Sequence, residues 1–100
     1  MPAFILLCHD KADSLPLRQA TRERHLDYIA GKGSAVLLAG PILDDNGQPA
    51  GSMLLIDAAD AEAARSFAQA DPYAEAGLFE NVDIKPYRIV TGALAPDADS

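Results

Sequence analysis

Ala70-Asp71-Pro72-Tyr73, followed by Ala76-Gly77-Leu78-Phe79, is the stretch on which the reading of this 100-residue chain turns. An alanine-rich segment runs up to it and a strand-like segment leaves it. Pro72 restricts the residue before it to extended backbone angles, so the incoming helix ends just before Asp71. A carboxylate held at such a helix-to-strand corner can face a cavity. It can also do no more than close a turn, since Asp-Pro commonly starts one. For chemistry Asp71 needs a partner, and His25 is the best candidate in the sequence.

Outward from this corner the chain divides into six main elements. Upstream, Asp60 is placed to cap a helix and Glu62 suits its first turn. Ala61, Ala64, Phe67 and Ala68 share one face of it, and so much alanine implies close contact with a sheet. Pro72 to Ala76 can add one further turn. Downstream, Phe79 to Tyr87 reads as a strand with Phe79, Val82 and Ile84 as its apolar members, and Arg88 to Val90 can extend it. Earlier in the chain, Gly51 to Asp57 and Ala35 to Ala39 read as strands, the latter broken by Gly40-Pro41. Asp44-Asp45-Asn46-Gly47 between them is a strong turn signal, so the two should form a hairpin. Pro16 to about Lys32 is the first helix, with Ser14 or Asp13 as cap and Gly31 and Gly33 ending it. Leu26, Ile29 and Ala30 make its apolar stripe, and His25 falls at the edge of that stripe. Phe4 to Cys8 is a short run apolar on both faces, read as the first strand, and His9 to Ser14 is a polar loop.

The order is β-α-β-β-α-β, an α+β chain of the ferredoxin-like type, with an antiparallel sheet and both helices on one face. The strands nevertheless read as apolar on both faces, and no third helix remains to cover the bare side. A second copy of the chain is the simplest cover, so a homodimer with sheets packed face to face, a dimeric α+β barrel, is expected. Residues 1–92 are expected to form one domain and 93–100 a loose tail.

Composition narrows the function classes. A hydrophobic share of 49% with 23% charged residues is that of an ordinary globular protein. No apolar run approaches the roughly 20 residues of a membrane span. Met1-Pro2-Ala3 lacks the basic residues of a signal peptide, and the single Cys8 fits a reducing compartment, so the cytoplasm is expected. The net charge of −7 argues against nucleic acid and anionic membrane surfaces. Between Lys11 and Lys32, however, five basic residues outnumber three acidic ones, a local +2, while the remainder carries −9. This basic island can draw in a small anion, or its arginines can simply solvate the outer face of a helix. Cys8-His9 is a poor thiol–base pair, because neighbours on a strand point to opposite faces. Two histidines and one cysteine form no zinc pattern, Asp44 to Gly47 lacks the later ligands of a calcium loop, and there is no glycine-rich phosphate loop. Neither a metal nor a cofactor is expected.

Several pieces match a known family. Leu17-Arg18, Arg22 with His25-Leu26 and Tyr28, Ala39-Gly40-Pro41, Asp71-Pro72-Tyr73 and Ala76-Gly77-Leu78-Phe79 stand in its order and at its spacing. From Phe4 to about Gly92 the chain resembles the YCII-related (YciI-like) proteins. The resemblance implies the ferredoxin-like dimer and an active site centred on a histidine and an aspartate, here His25 and Asp71. One related enzyme is a dehydrochlorinase of a chlorinated hydroxymuconolactone. A histidine beside a carboxylate can take and return a proton, which suits elimination, isomerisation or lactone chemistry on a small carboxylic acid. Arg22, one turn before His25, can hold the substrate carboxylate by a forked hydrogen bond, and Arg18 is a second candidate. Gly40 and Pro41 would let a ligand approach the backbone, and Tyr28 and Tyr73 can line the pocket or serve packing alone. The alternatives are a small-anion-binding module without catalysis and a purely structural dimer.

Overall fold

The computed structural model describes residues 2–95. Strands β1 (Ala3–Asp10), β2 (Val36–Leu43), β3 (Pro49–Asp57) and β4 (Phe79–Tyr87) form one antiparallel sheet in the order β2-β3-β1-β4. Helix α1 (Leu15–Gly31) and a single 3-10 turn (Gly33–Ala35) join β1 to β2. Helix α2 (Ala61–Ala70) and the one-turn α3 (Pro72–Glu75) join β3 to β4. The ferredoxin-like order expected from the sequence is present, including the extra turn at Pro72.

Period-two alternation sorts the strands into two faces. On one face Leu6 stands between Leu54 and Ile84, and Cys8 between Ser52 and Val82. Phe4, Leu6, Cys8, Leu54 and Ile56 form the core there with Ala64 and Ala68 of α2. Alanines at those two positions let the helix approach the sheet closely. The side chain of Asp60 accepts from the Ala63 N–H at 2.8 Å and fixes the start of α2, as expected.

Helix α1 departs from expectation. Its buried residues are Arg18, Thr21 and His25, whereas Leu26 is 44% exposed and, of the predicted stripe, only Ile29 packs on the core. Polar pairings rather than apolar area set the inner face of this helix. Its start also differs, because neither Asp13 nor Ser14 caps it with a side chain. Ser14 Oγ donates to the Ala12 carbonyl at 3.2 Å, and Asp13 adopts a φ of 57°.

Two strand ends differ as well. Strand β2 runs through Gly40-Pro41 to Leu43 instead of stopping there. It is an edge strand, where a proline lacking its N–H leaves no ladder bond unmade. Residues Arg88 to Val90 do not extend β4, since Tyr87 already pairs with Ala3, the first residue of β1. Strand β1 reaches Asp10, two residues beyond its predicted end. The turn at Asp44–Gly47 forms as predicted, with Asp44 Oδ1 accepting from the N–H groups of Asn46 and Gln48 at 2.9 and 3.0 Å. At Gly51 the strands approach so closely that a Cβ would sit 2.5 Å from the Cys8 carbonyl oxygen, so only glycine fits.

The face away from the helices carries Ile5 and Leu7 of β1, Met53 and Leu55 of β3, and Leu38 and Ile42 of β2. On β4 the same face carries Asn81, Asp83 and Lys85. The apolar character expected of all four strands therefore belongs to three of them. Of the predicted tail, Ala95 N–H bonds the Gly92 carbonyl, and residues 96–100 lie outside the described residues. No helix of the described residues is long and apolar enough to cross a membrane.

Candidate active site

The inner face of α1 presents Arg18, Thr21 and His25 at helical spacing. The Thr21 hydroxyl donates to the Leu17 carbonyl at 2.8 Å and leaves the other two to make long-range contacts. Asp71 stands between α2 and α3 with the extended backbone that Pro72 demands, φ −62° and ψ 131°. Its Oδ1 accepts from the Tyr73 N–H at 2.9 Å and caps α3. Both of its carboxylate oxygens lie 2.9 Å from His25 Nδ1. The two roles left open by the sequence, turn closure and partnership with histidine, are thus held by one carboxylate. An ionised carboxylate only accepts, so the hydrogen of the neutral His25 ring is assigned to Nδ1 and Nε2 keeps its lone pair.

Tyr73 organises the surroundings. Its ring stacks on His25 with centroids 4.1 Å apart and planes 16° from parallel, and the Arg18 guanidinium carbon lies 4.7 Å from its centre. Burial pushes the Tyr73 hydroxyl pKa up, Arg18 and Arg22 pull it back, and Asp71 and Asp10 add to the rise. Arg18 is itself 6% exposed. Its Nη1 donates to both oxygens of Asp10 at 3.1 and 2.9 Å, and its Nη2 donates to Ser52 Oγ at 2.7 Å.

Between α1 and the β2–β3 part of the sheet lies a cavity of about 430 Å³, within the range of small-molecule sites. Arg18, Arg22, His25, Gly40, Pro41 and Tyr73 all line it, together with Ser52 and apolar walls that include Leu15, Leu26, Ile29 and Leu54. Six of the residues singled out from the sequence therefore meet at one cavity, with Asp71 bonded behind His25. Arg22 is exposed and takes part in none of the ion pairs among the described residues, which leaves it free for an anion. Arg18 lines the same space but is engaged by Asp10. Tyr28 stands apart. Its hydroxyl donates to the Phe67 carbonyl at 2.8 Å, its ring meets Phe67 edge-on at 5.4 Å, and it ties α1 to α2.

Asp10 and Ser52 went unnoticed in the sequence. Both had a signal, since Asp10 continues the inward alternation Phe4, Leu6, Cys8, and Ser52 precedes Leu54 and Ile56 on the inward face of its own strand. A polar residue in line with a buried apolar row is a candidate for a partnered interior group. Cys8 is buried, and burial, with Asp71 and Asp10 adding to it against Arg18, pushes its thiol pKa up to about 12. At neutral pH it is a protonated core residue and no nucleophile. His9 lies on the opposite face, its Nε2 3.7 Å from Asp83 in an exposed pair. Among the described residues no group of three or more His, Cys, Asp or Glu is placed to hold a metal ion.

The YCII-related domain matches this chain over residues 3–88. The chain belongs to the YCII-related family. Protein YciI of Escherichia coli O6:H1 is 36% identical over 95 residues, covering 87% of this chain and 97% of that protein. An uncharacterized protein of Haemophilus influenzae is 33% identical over the same shares of each chain. Among solved structures, 5-chloro-2-hydroxyhydroquinone dehydrochlorinase from Burkholderia phenoliruptrix AC1100, in complex with 2,5-dihydroxybenzoquinone, superposes with a TM-score of 0.79. It is 26% identical and covers 86% of this chain and 93% of its own. The substrate in that name is a chlorinated hydroxyhydroquinone, where the resemblance had implied a chlorinated lactone. An antibiotic biosynthesis monooxygenase, 9% identical with a TM-score of 0.56, shares the fold alone. Family membership and this likeness give the YCII-related protein an enzymatic relative whose fold matches its own.

Proposed function

We propose that this YCII-related protein is a small acid–base enzyme that moves a proton on a small anionic substrate, in an elimination or isomerisation. The observation that carries the reading is His25, with Nδ1 bonded to Asp71 and its ring on the wall of the cavity. A ring fixed in that tautomer offers Nε2 as the base and can return the proton as an acid. Arg22, the unengaged cation of the cavity, holds the carboxylate or phenolate of the substrate. The dehydrochlorinase likeness supports elimination within this class and extends the candidate substrates from carboxylic acids and lactones to hydroxylated rings.

Arg22→Ala is expected to weaken binding of small carboxylates about tenfold or more, the usual worth of a hydrogen bond to a charged group. Isothermal titration of both proteins with a panel of small carboxylic acids measures it, and equal affinities would remove Arg22 from the site. Screening the compounds that bind for turnover, with His25→Ala as the blank, tests the catalytic half. Turnover unaffected by His25→Ala, or tight binding without any turnover, favours the anion-binding module instead.

We propose further that a second copy of the chain covers the sheet face away from the helices, since Ile5, Leu7, Leu38, Ile42 and Met53 stand only half-buried there around the buried Leu55. The charged strand β4 would then lie at the rim of the contact. Light scattering on a sizing column should give twice the 10.6 kDa chain mass. A folded monomer at micromolar concentration would refute the pairing. The free Cys8 accords with a cytoplasmic site of action.

A further inference from the structure

Two residues of the cavity wall, Ser52 and Tyr73, carry hydroxyl hydrogens that no atom of the described residues accepts. Ser52 Oγ accepts a hydrogen bond from Arg18 Nη2 at 2.7 Å. A hydroxyl has one hydrogen and two lone pairs, and a guanidinium has no lone pair to offer. The Ser52 hydrogen must therefore turn elsewhere, and among the described residues nothing accepts it. Tyr73 is 2% exposed, yet its hydroxyl has no protein partner among them. No fully buried side-chain nitrogen or oxygen of the described residues lacks a partner, so the Tyr73 oxygen is not sealed inside the protein. The cavity is the space that Tyr73 lines.

Both residues touch the Arg18 guanidinium, and Asp10 neutralises that guanidinium through two hydrogen bonds. This wall therefore offers polarised but uncharged donors. It suits an oxygen that gains charge during a reaction, whereas a permanent anion is better served by Arg22. The cavity thus has two unlike oxygen sites with His25 on its wall.

We propose that Ser52 and Tyr73 form a donor pair for a carbonyl or phenolic oxygen of the substrate, and that the substrate is a small enolisable ketone or phenol bearing a separate anionic group. The inference rests on the reading of His25 as the base. In the step it implies, the bond between hydrogen and the carbon next to the carbonyl breaks and a bond from that hydrogen to His25 Nε2 forms. The released electron pair becomes the new carbon–carbon double bond, and the carbonyl π pair moves onto oxygen. The hydrogen bonds from Ser52 and Tyr73 strengthen as that oxygen becomes negative.

A coloured probe reads this without knowledge of the substrate. 4-Hydroxy-3-nitrobenzoate carries a carboxylate for Arg22 and a nitrophenolate whose absorption band moves to shorter wavelength when its oxygen is hydrogen-bonded. Wild type should bind it with such a shift. Ser52→Ala and Tyr73→Phe should each bind about tenfold more weakly, with the shift reduced. Arg22→Ala should bind more weakly and keep the shift. Tyr73→Phe removes one oxygen and leaves the ring on His25, so it decides the matter alone if Ser52→Ala does not fold. Wild-type affinity and spectrum in both donor variants would overturn this inference and leave the anion pocket standing. Failure of the wild-type protein to bind at millimolar concentration would overturn both.

Discussion

Asp71→Asn is expected to move the hydrogen of the neutral His25 ring from Nδ1 to Nε2 while the chain stays folded. The asparagine oxygen can still accept the Tyr73 N–H that caps α3, now accepted by Asp71 Oδ1 at 2.9 Å. Its amide nitrogen then takes the place of Oδ2, 2.9 Å from His25 Nδ1, and offers a hydrogen that favours a change of Nδ1 from donor to acceptor. The ring hydrogen then passes to Nε2, and the base proposed for this site is lost. Proton-transfer turnover should fall by about 10²–10⁴-fold, the usual worth of a positioned acid–base group. The ¹⁵N shifts of the imidazole distinguish the two tautomers directly and need no substrate. If Asp71 served only the turn, the asparagine variant would retain the hydrogen on Nδ1 and the full rate of any reaction found.

The second large effect concerns Arg18. Arg18→Met keeps much of the side-chain volume and removes the charge. It leaves the Asp10 carboxylate, whose side chain is 5% exposed, without the guanidinium that binds both its oxygens. Breaking a buried ion pair from one side costs about 3–5 kcal/mol, because the remaining charge is buried and uncompensated. Against a total of about 5–15 kcal/mol for an ordinary protein, that is enough to bring the variant close to unfolding at room temperature. Adding Asp10→Asn removes the stranded charge and should recover at least half of the loss. Urea unfolding midpoints of the single and double variants measure both effects. A single variant as stable as wild type would mean that water reaches Asp10, and the pair would then count as a surface contact.

What could be read from the sequence was local. Asp60 is a cap because the N–H it serves is three residues away, and Asp44 closes its turn onto Asn46 and Gln48. The corner at Asp71 follows from Pro72 in the same way. The alternation of Phe4, Leu6 and Cys8 and the alanine face of α2 made the core legible. The inner face of α1 was not, because each of its fixed points depends on a distant residue. Asp10 is eight positions from Arg18, Ser52 is 34 away, and Asp71 is 46 from His25. Hydrophobic periodicity carries no information on such pairs, and it pointed instead to Leu26, which lies on the cavity wall. Pro41 misled for a related reason, since the cost of a proline in a strand depends on whether the strand lies at an edge. His25 and Asp71 were legible as partners only through the corner geometry and the family resemblance together.

The polar inner face of α1 has a consequence for motion. Apolar contacts resist separation through the whole area they bury, but ion pairs and hydrogen bonds are directional and yield once displaced by a fraction of their length. Helix α2 sits on the core through Ala64 and Ala68, whereas α1 is held largely by the partners of Arg18 and His25 and by the Tyr28–Phe67 bond. Of the two long helices α1 is thus expected to open at lower free energy, as a local unit ahead of global unfolding, which amide hydrogen exchange would measure. Its opening would widen the same space that a ligand must enter. A ligand bridging Arg22 on α1 to Ser52 on β3 would oppose that opening, so binding would tighten the helix that carries His25.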